Sequence, residues 1–133
     1  MSDEIEKIAK DIVHCAYLVH KELGPGLLER IYETCLLYEL NQMGYKVQQQ
    51  LNIPIYYKGI EFIEGMRLDL LVADEVIVEI KAVETVNPFW EAQIISQLKL
   101  ADKKLGLLIN FNVPLIKNGI KRYFNSRYVD KNS

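Results

Sequence analysis

Three charged residues within "RLDLLVADEVIVEIKAV", Arg67 to Val83, have the types and spacing to do chemistry: Asp69, Glu79 and Lys81. The segment reads as two apolar strands joined by a short polar turn, the kind that fills the middle of a sheet. Burying such charges unpartnered costs on the order of several kcal/mol each. Alternate residues of a strand share a face, so Glu79 and Lys81 project together. A turn centred on Asp74 sets Asp69 directly opposite Glu79. A two-residue turn at Ala73-Asp74 instead pairs Asp69 with Val78 and sends the carboxylates to opposite faces. A site here requires an odd-length loop or a bulge.

Opposed carboxylates repel, and Lys81 supplies a single positive charge. A divalent cation compensates better. Carboxylate oxygens with waters suit Mg²⁺ or Mn²⁺. An ammonium beside such an ion can hold the attacking water or stabilise charge on a phosphate. That chemistry is phosphodiester hydrolysis. Bland readings stand beside it: Glu-x-Lys as a solvated strand end, Asp69 as a turn cap, Glu29 and Glu33 as the solvent face of a helix. A metal-free carboxylate hydrolase such as a glycosidase fits the adjacent lysine and the strand placement poorly. His14 and His20 lack partners at metal-ligand spacing and read as core or surface histidines. No Ser/His/Asp arrangement is visible, and "GPGLLE" lacks the Lys-Ser/Thr of a nucleotide P-loop.

The elements that must position these residues follow from periodicity. Ile5, Ile8, Ile12, Cys15, Val19 and Leu23 form one helical stripe over residues 3 to 23, stopped by "GPG" at Gly24 to Gly26. A second helix is predicted from about Leu27 to Met43, with Gly44 as its cap and Leu28, Ile31, Cys35, Leu36 and Leu40 inward. Glu29, Tyr32, Glu33 and Leu36 share a neighbouring face. From Tyr45 the period becomes two. "YKVQQQLNIPIYYKG" gives a strand interrupted near Pro54, "IEFIEGMRLDLLV" one bent near Gly65, and "EVIVEIKAV" a third. "NPFWEAQIISQLKLADKK" returns to helix, with Pro88 in its first turn. "LGLLINF" has the continuous apolarity of a strand buried on both faces, and "IKRYF" is a candidate edge strand. The tail from about residue 126, ending in "DKNS", is expected to fray.

The chain has 133 residues, suited to a single domain spanning 1–133. No apolar run reaches the roughly 20 residues of a membrane span, and the charged start has no signal-peptide character. Two cysteines in helical patterns read as free buried thiols, so a cytoplasmic setting is expected. Net charge is −2, unevenly placed: residues 1–98 hold eight Lys+Arg against sixteen Asp+Glu, and residues 99–133 hold eight against two. Such asymmetry permits a local basic surface.

"GLLERIY", Gly26 to Tyr32, fits the Gly-x-x-Glu-x-x-Tyr signature, and the chain resembles the GxxExxY protein family. "RLDLLVADEVIVEIKAV" resembles that family's hairpin, and "EAQ" with "KLGLLINFN" its C-terminal half. The resemblance covers about residues 5 to 125 and implies the PD-(D/E)xK nuclease superfamily. The implied fold is α/β, a restriction-endonuclease-like αβββαβ core with a central mixed β-sheet flanked by helices, here with an extra N-terminal helix. It further implies Asp69 and Glu79 as metal ligands, completed by the Ile80 carbonyl, with Lys81 as the motif lysine. Glu29 resembles the helical glutamate that approaches the metal directly or through water. Tyr32 is implied to position its helix or the phosphate, and Gln93 to orient the lysine or contact substrate. The "PD" proline is replaced by Leu68, and Trp90 and Gln97 stand where a histidine and an aromatic are usual.

The function so implied is a Mg²⁺- or Mn²⁺-dependent nuclease, with DNA the expected polymer. The alternative is an inactive nuclease-fold module that binds nucleic acid or a protein partner. The 133 residues leave little surface for gripping a duplex, so a homodimer is a candidate active form, and Lys117, Lys121 and Arg122 are candidates for phosphate contact.

Overall fold

Ser2 accepts the backbone N–H of Ile5 and opens α1 (Asp3–Leu23), whose acidic first turn suits the positive end of the helix dipole. The structure, a computed structural model, describes residues 1–128, so the predicted "DKNS" segment lies outside the described residues. The stripe Ile5, Ile8, Ile12, Cys15 and Val19 is buried as its spacing predicts. Gly24, at φ 69°, ends the helix by donating its N–H to the His20 carbonyl.

The second helix, α2 (Glu29–Gln42), starts later and is rotated relative to the sequence expectation. Its buried face holds Tyr32, Glu33, Leu36 and Leu40, whereas Leu28 is exposed just before it and Ile31 and Cys35 are half-buried. Tyr32 sets this rotation: its ring stacks on Phe111 at 4.6 Å between centroids. Its hydroxyl donates to the Gly24 carbonyl at 2.6 Å and accepts the Leu27 N–H at 3.1 Å, holding the preceding residues in a loop. Gly44 follows the helix at φ 87°.

Five strands form one sheet in the order β1 (Val47–Tyr57), β2 (Ile60–Val72), β3 (Val76–Lys81), β4 (Leu105–Asn110) and β5 (Ile120–Phe124). All neighbours are antiparallel except β3 and β4, which are parallel and joined through α3 (Pro88–Ala101). Asn87 caps α3 with its side chain, and Pro88 occupies the first turn as expected. The β1–β2 register shifts between Ile53 and Ile55, at Pro54, with the extra residues on β2 around Gly65.

The apolar faces divide the molecule into three layers. Val78, Ile80, Leu107 and Ile109 pack beneath α1 and α2, and Leu71, Ile77 and Leu108 pack against Ile94 and Leu98 of α3. Residues 126–128 form a short 3-10 turn, with Arg127 and Tyr128 bonded to Asp102, so the predicted fraying does not begin at 126.

Candidate active site

The β2–β3 connection is a three-residue loop. Ala73 and Asp74 both take left-handed backbone, at φ 54° and 58°, and the Glu75 N–H donates to the Val72 carbonyl at 2.9 Å. The closing pair is Val72 with Val76, followed by Leu71 with Ile77 and Leu70 with Val78. The odd loop that the sequence required is present, and the next step of this register sets Asp69 against Glu79.

Regular pairing stops at that step, and side chains take its place. Glu79 Oε2 accepts the Asp69 N–H at 2.9 Å, and Asp69 Oδ2 accepts the Ile80 N–H at 2.8 Å. β1 breaks at the same level. Gln50 sits at φ 50° between the pairs Gln49–Leu70 and Leu51–Leu68. Across this break the strands exchange faces: Leu70 packs with α1 and α2, Leu68 with α3. Asp69 is thus flanked by Gln50 on one side and Glu79 on the other.

Polar side chains continue outward to both helical layers. Glu33 is buried on α2 and accepts Gln49 Nε2 at 2.8 Å and Gln50 Nε2 at 2.9 Å. Gln50 Nε2 also approaches Asp69 Oδ1 at 3.4 Å. Glu79 Oε1 accepts Gln97 Nε2 from α3, and Gln97 is wholly buried. This chain of contacts crosses the sheet from α2 to α3. Burial first, and the Asp69 charge second, push the Glu79 carboxyl up to about 8, against the lowering effect of Gln97.

Lys81 ends β3, half-buried, with Nζ 4.6 Å from the Trp90 ring centroid. Glu29 is the first residue of α2. It is exposed as a residue, yet partial desolvation is the largest influence raising its carboxyl. Lys81 opposes that rise, and Asp69 and Glu33 add to it. These influences place Glu29 in the electrostatic neighbourhood of the β2–β3 carboxylates. The expected convergence of Glu29, Asp69 and Glu79 on one ion is not present: among the described residues, no three His, Cys, Asp or Glu groups are arranged to hold a metal. Glu29 stands at a helix end, outside the side-chain lock that fixes the other two.

The remaining sequence candidates are distributed unevenly. Ile80 is joined to the site through its N–H. Tyr32 is wholly buried, so of its two implied roles the structure supports holding the helix and its entry loop, and a direct phosphate contact is ruled out by burial. Gln93 is exposed on α3, and the glutamine that reaches Glu79 is Gln97, one turn later. Lys121 pairs with Glu91 at 3.0 Å and Arg122 with Glu6 at 2.7 Å, both at the β5 edge, while Lys117 is exposed on a 3-10 turn. His20 is a buried core histidine against the Val113 carbonyl, and His14 is exposed. Glu33 is not on a solvent face.

Sequence reasoning noted Gln97 only as standing where an aromatic is usual, and overlooked its bond to Glu79, the Glu33 contacts and the Lys81–Trp90 stack. Two signals were available. Gln97 lies within the stripe marked by Ile94, Leu98 and Ala101, and "QQQ" at Gln48 to Gln50 is an unusually polar run inside a strand.

A family model described as the PD-(D/E)XK nuclease superfamily matches residues 6–123, nearly the whole chain. The chain belongs to the PD-(D/E)XK nuclease superfamily. Its five-stranded mixed sheet flanked by helices is the restriction-endonuclease-like architecture of that superfamily. The chain matches no curated protein and no solved structure at a significant level. Among the described residues, no helix is long and apolar enough to cross a membrane.

As a PD-(D/E)XK chain, it carries the superfamily's Asp, Glu-x-Lys spacing on β2 and β3. The donor set fits a hard divalent cation. Two carboxyl groups are held together where burial first, and the Asp69 charge second, raise Glu79, and oxygen donors suit such ions.

Proposed function

We propose that this chain is a divalent-cation-dependent nuclease acting on DNA phosphodiesters, within the GxxExxY group of its superfamily. The observation that carries the reading is the reciprocal lock of Asp69 and Glu79 where β2 and β3 part, with Lys81 two residues further along β3. The signature residues Gly26, Glu29 and Tyr32 support the narrower grouping. Tyr32 anchors the loop from which α2 starts, and Glu29 opens that helix.

Asp69, Glu79 and the Ile80 carbonyl would hold the cation, with Glu29 available through water. When bound, Mg²⁺ or Mn²⁺ lowers the pKa of a coordinated water and offsets phosphate charge. The backbone amides of Asp69 and Ile80 fix the two carboxylates before substrate arrives, so little reorganisation accompanies the reaction. Gln97 orients Glu79 from the opposite layer. Lys81, resting on Trp90, places its ammonium beside the scissile phosphate and stabilises the charge that develops there.

The test is cleavage of linear, nicked, branched and single-stranded DNA, and of RNA, with Mg²⁺, Mn²⁺ or EDTA. Metal-dependent cleavage lost in Asp69→Ala and Lys81→Ala is the expected result. Activity surviving EDTA or these changes would overturn the assignment, and binding without cleavage under every metal condition would make the chain a non-catalytic module.

A further inference from the structure

A polar cavity lies along the same strand that supplies Asp69. It measures about 420 Å³ and is lined by Asn52, Glu64, Gly65, Met66, Arg67 and Gln93. Its size falls within the roughly 300–1,000 Å³ of small-molecule sites, but its lining is richer in hydrogen-bonding groups than most.

The β1–β2 irregularity builds one wall. Ile53 pairs with Met66 and Ile55 with Phe62, so Ile63, Glu64 and Gly65 bulge opposite Pro54. Gly65 is required there, because a Cβ would stand 2.5 Å from Ile55 Cγ1. The other wall is α3, through Gln93. Asn52 pairs with Arg67 across the strands, two residues before Asp69. The cavity therefore lies along the stretch of β2 that leads into Asp69.

Resting on the nuclease reading, we infer that this cavity receives an unpaired nucleobase next to the phosphate being cut. Carboxamides such as Asn52 and Gln93 match the donor–acceptor pairs on base edges, and a carboxylate such as Glu64 accepts from an exocyclic amine. Phe89 precedes Gln93 by one turn of α3 and is 66% exposed, offering a face on which a base can stack. A base in a duplex keeps its Watson–Crick edge paired and cannot enter a pocket unless it is first extruded, which costs on the order of a few kcal/mol. The phosphate grip needed to drive extrusion is limited: Lys121 and Arg122 are paired with Glu91 and Glu6, Arg67 at the cavity and Lys117 are exposed single cations, and the chain is net acidic. Single-stranded ends, flaps or mismatches supply the base already free.

The experiment is fluorescence-anisotropy binding of the full chain, in EDTA, to a blunt DNA duplex and to the same duplex carrying a single-stranded overhang. Tighter binding of the overhang is expected. Asn52→Ala and Gln93→Ala, both at exposed positions, should each weaken it about tenfold while leaving the blunt duplex unchanged. An abasic nucleotide at one overhang position should reproduce that loss in the wild type and add nothing to Asn52→Ala. Equal affinity for both DNAs, or equal weakening of both by the substitutions, overturns the inference. Cleavage in Mg²⁺ without overhang preference would overturn it and leave the nuclease reading standing. Cavity-dependent binding with no cleavage in Mg²⁺ or Mn²⁺ would uphold the base site alone and overturn the nuclease reading, and with it the placement beside a cut phosphate.

Discussion

Asp69 and Glu79 hold each other through the main chain: the Glu79 carboxylate accepts the Asp69 N–H, and the Asp69 carboxylate accepts the N–H of Ile80 beside Glu79. Each side chain takes up a backbone N–H where regular β2–β3 pairing has stopped, so the Asp69 and Ile80 amides are not orphaned. The same bonds keep two carboxyl groups close inside a largely buried site. Folding thus prepares a place for positive charge, and its consequences are measurable.

The first consequence is a pH dependence of stability. Glu79 titrates near 8 in the folded protein, against 4.5 for an ordinary glutamate. Below about pH 4.5 both folded and unfolded chains hold the proton, and its full stabilising contribution is present. Between these values only the folded state keeps the proton, so stability falls as pH rises and the contribution is gone above about 8. Urea unfolding at about pH 5.5 and about pH 8.5 should show the alkaline sample weaker, by an amount on the order of kcal/mol. Glu79→Gln should flatten this contribution, and Mg²⁺ should restore alkaline stability in the wild type only. A slope unchanged in Glu79→Gln would assign it to another group.

Lys81 and Trp90 give a second prediction. The ring holds an ammonium that would otherwise sweep several rotamers, and such contacts contribute roughly 0.5–2 kcal/mol. Trp90→Leu should lower kcat about two- to thirtyfold at similar KM. Trp90→Phe, which keeps an aromatic face, should recover much of the loss. Identical behaviour of the leucine and phenylalanine variants would show that ring electrostatics do not position the lysine.

The central hairpin was legible because two apolar runs flank a short polar turn. Its register stood open between a turn centred on Asp74 and a two-residue turn at Ala73-Asp74 until the pairing of Val72 with Val76 selected the first. Its left-handed residues were not signalled, since neither Ala73 nor Asp74 is a glycine. The α2 rotation was misread for a different reason. Its stripe of Leu28, Ile31 and Cys35 is as periodic as the true one, and only the stacking of Tyr32 on Phe111, seventy-nine residues away in sequence, selects between them. The exchange of faces at Gln50 and Asp69 breaks strict alternation, so a period-two reading cannot carry burial across it. Gln93 and Gln97 differ by one helical turn. Which one meets Glu79 depends on how α3 seats Ile94 and Leu98 on the sheet.

Tyr32 yields a third prediction. Tyr32→Phe preserves the stack on Phe111 but removes the hydroxyl that serves both the Gly24 carbonyl and the Leu27 N–H. A loss of about 1–3 kcal/mol is expected, seen as a Tm lower by several degrees. Because this loop delivers Glu29, kcat should also fall at temperatures where the variant remains folded. A stability loss with unaltered kcat would confine Tyr32 to the fold.

Gln97 gives the last. Its Nε2 bonds Glu79, which favours the ionised carboxylate, while its Oε1 is buried without a partner. Gln97→Met keeps the volume, removes that bond and also removes the unpartnered oxygen, so the fold should tolerate it. Glu79 should then hold its proton to still higher pH. Since the carboxylate must be ionised to bind a cation, Mn²⁺ affinity near neutral pH should fall, and the deficit should shrink as pH rises above about 8. Titration calorimetry across that interval separates this from a geometric effect. A deficit that stays constant with pH would mean that Gln97 acts by orienting Glu79 and not by holding it charged.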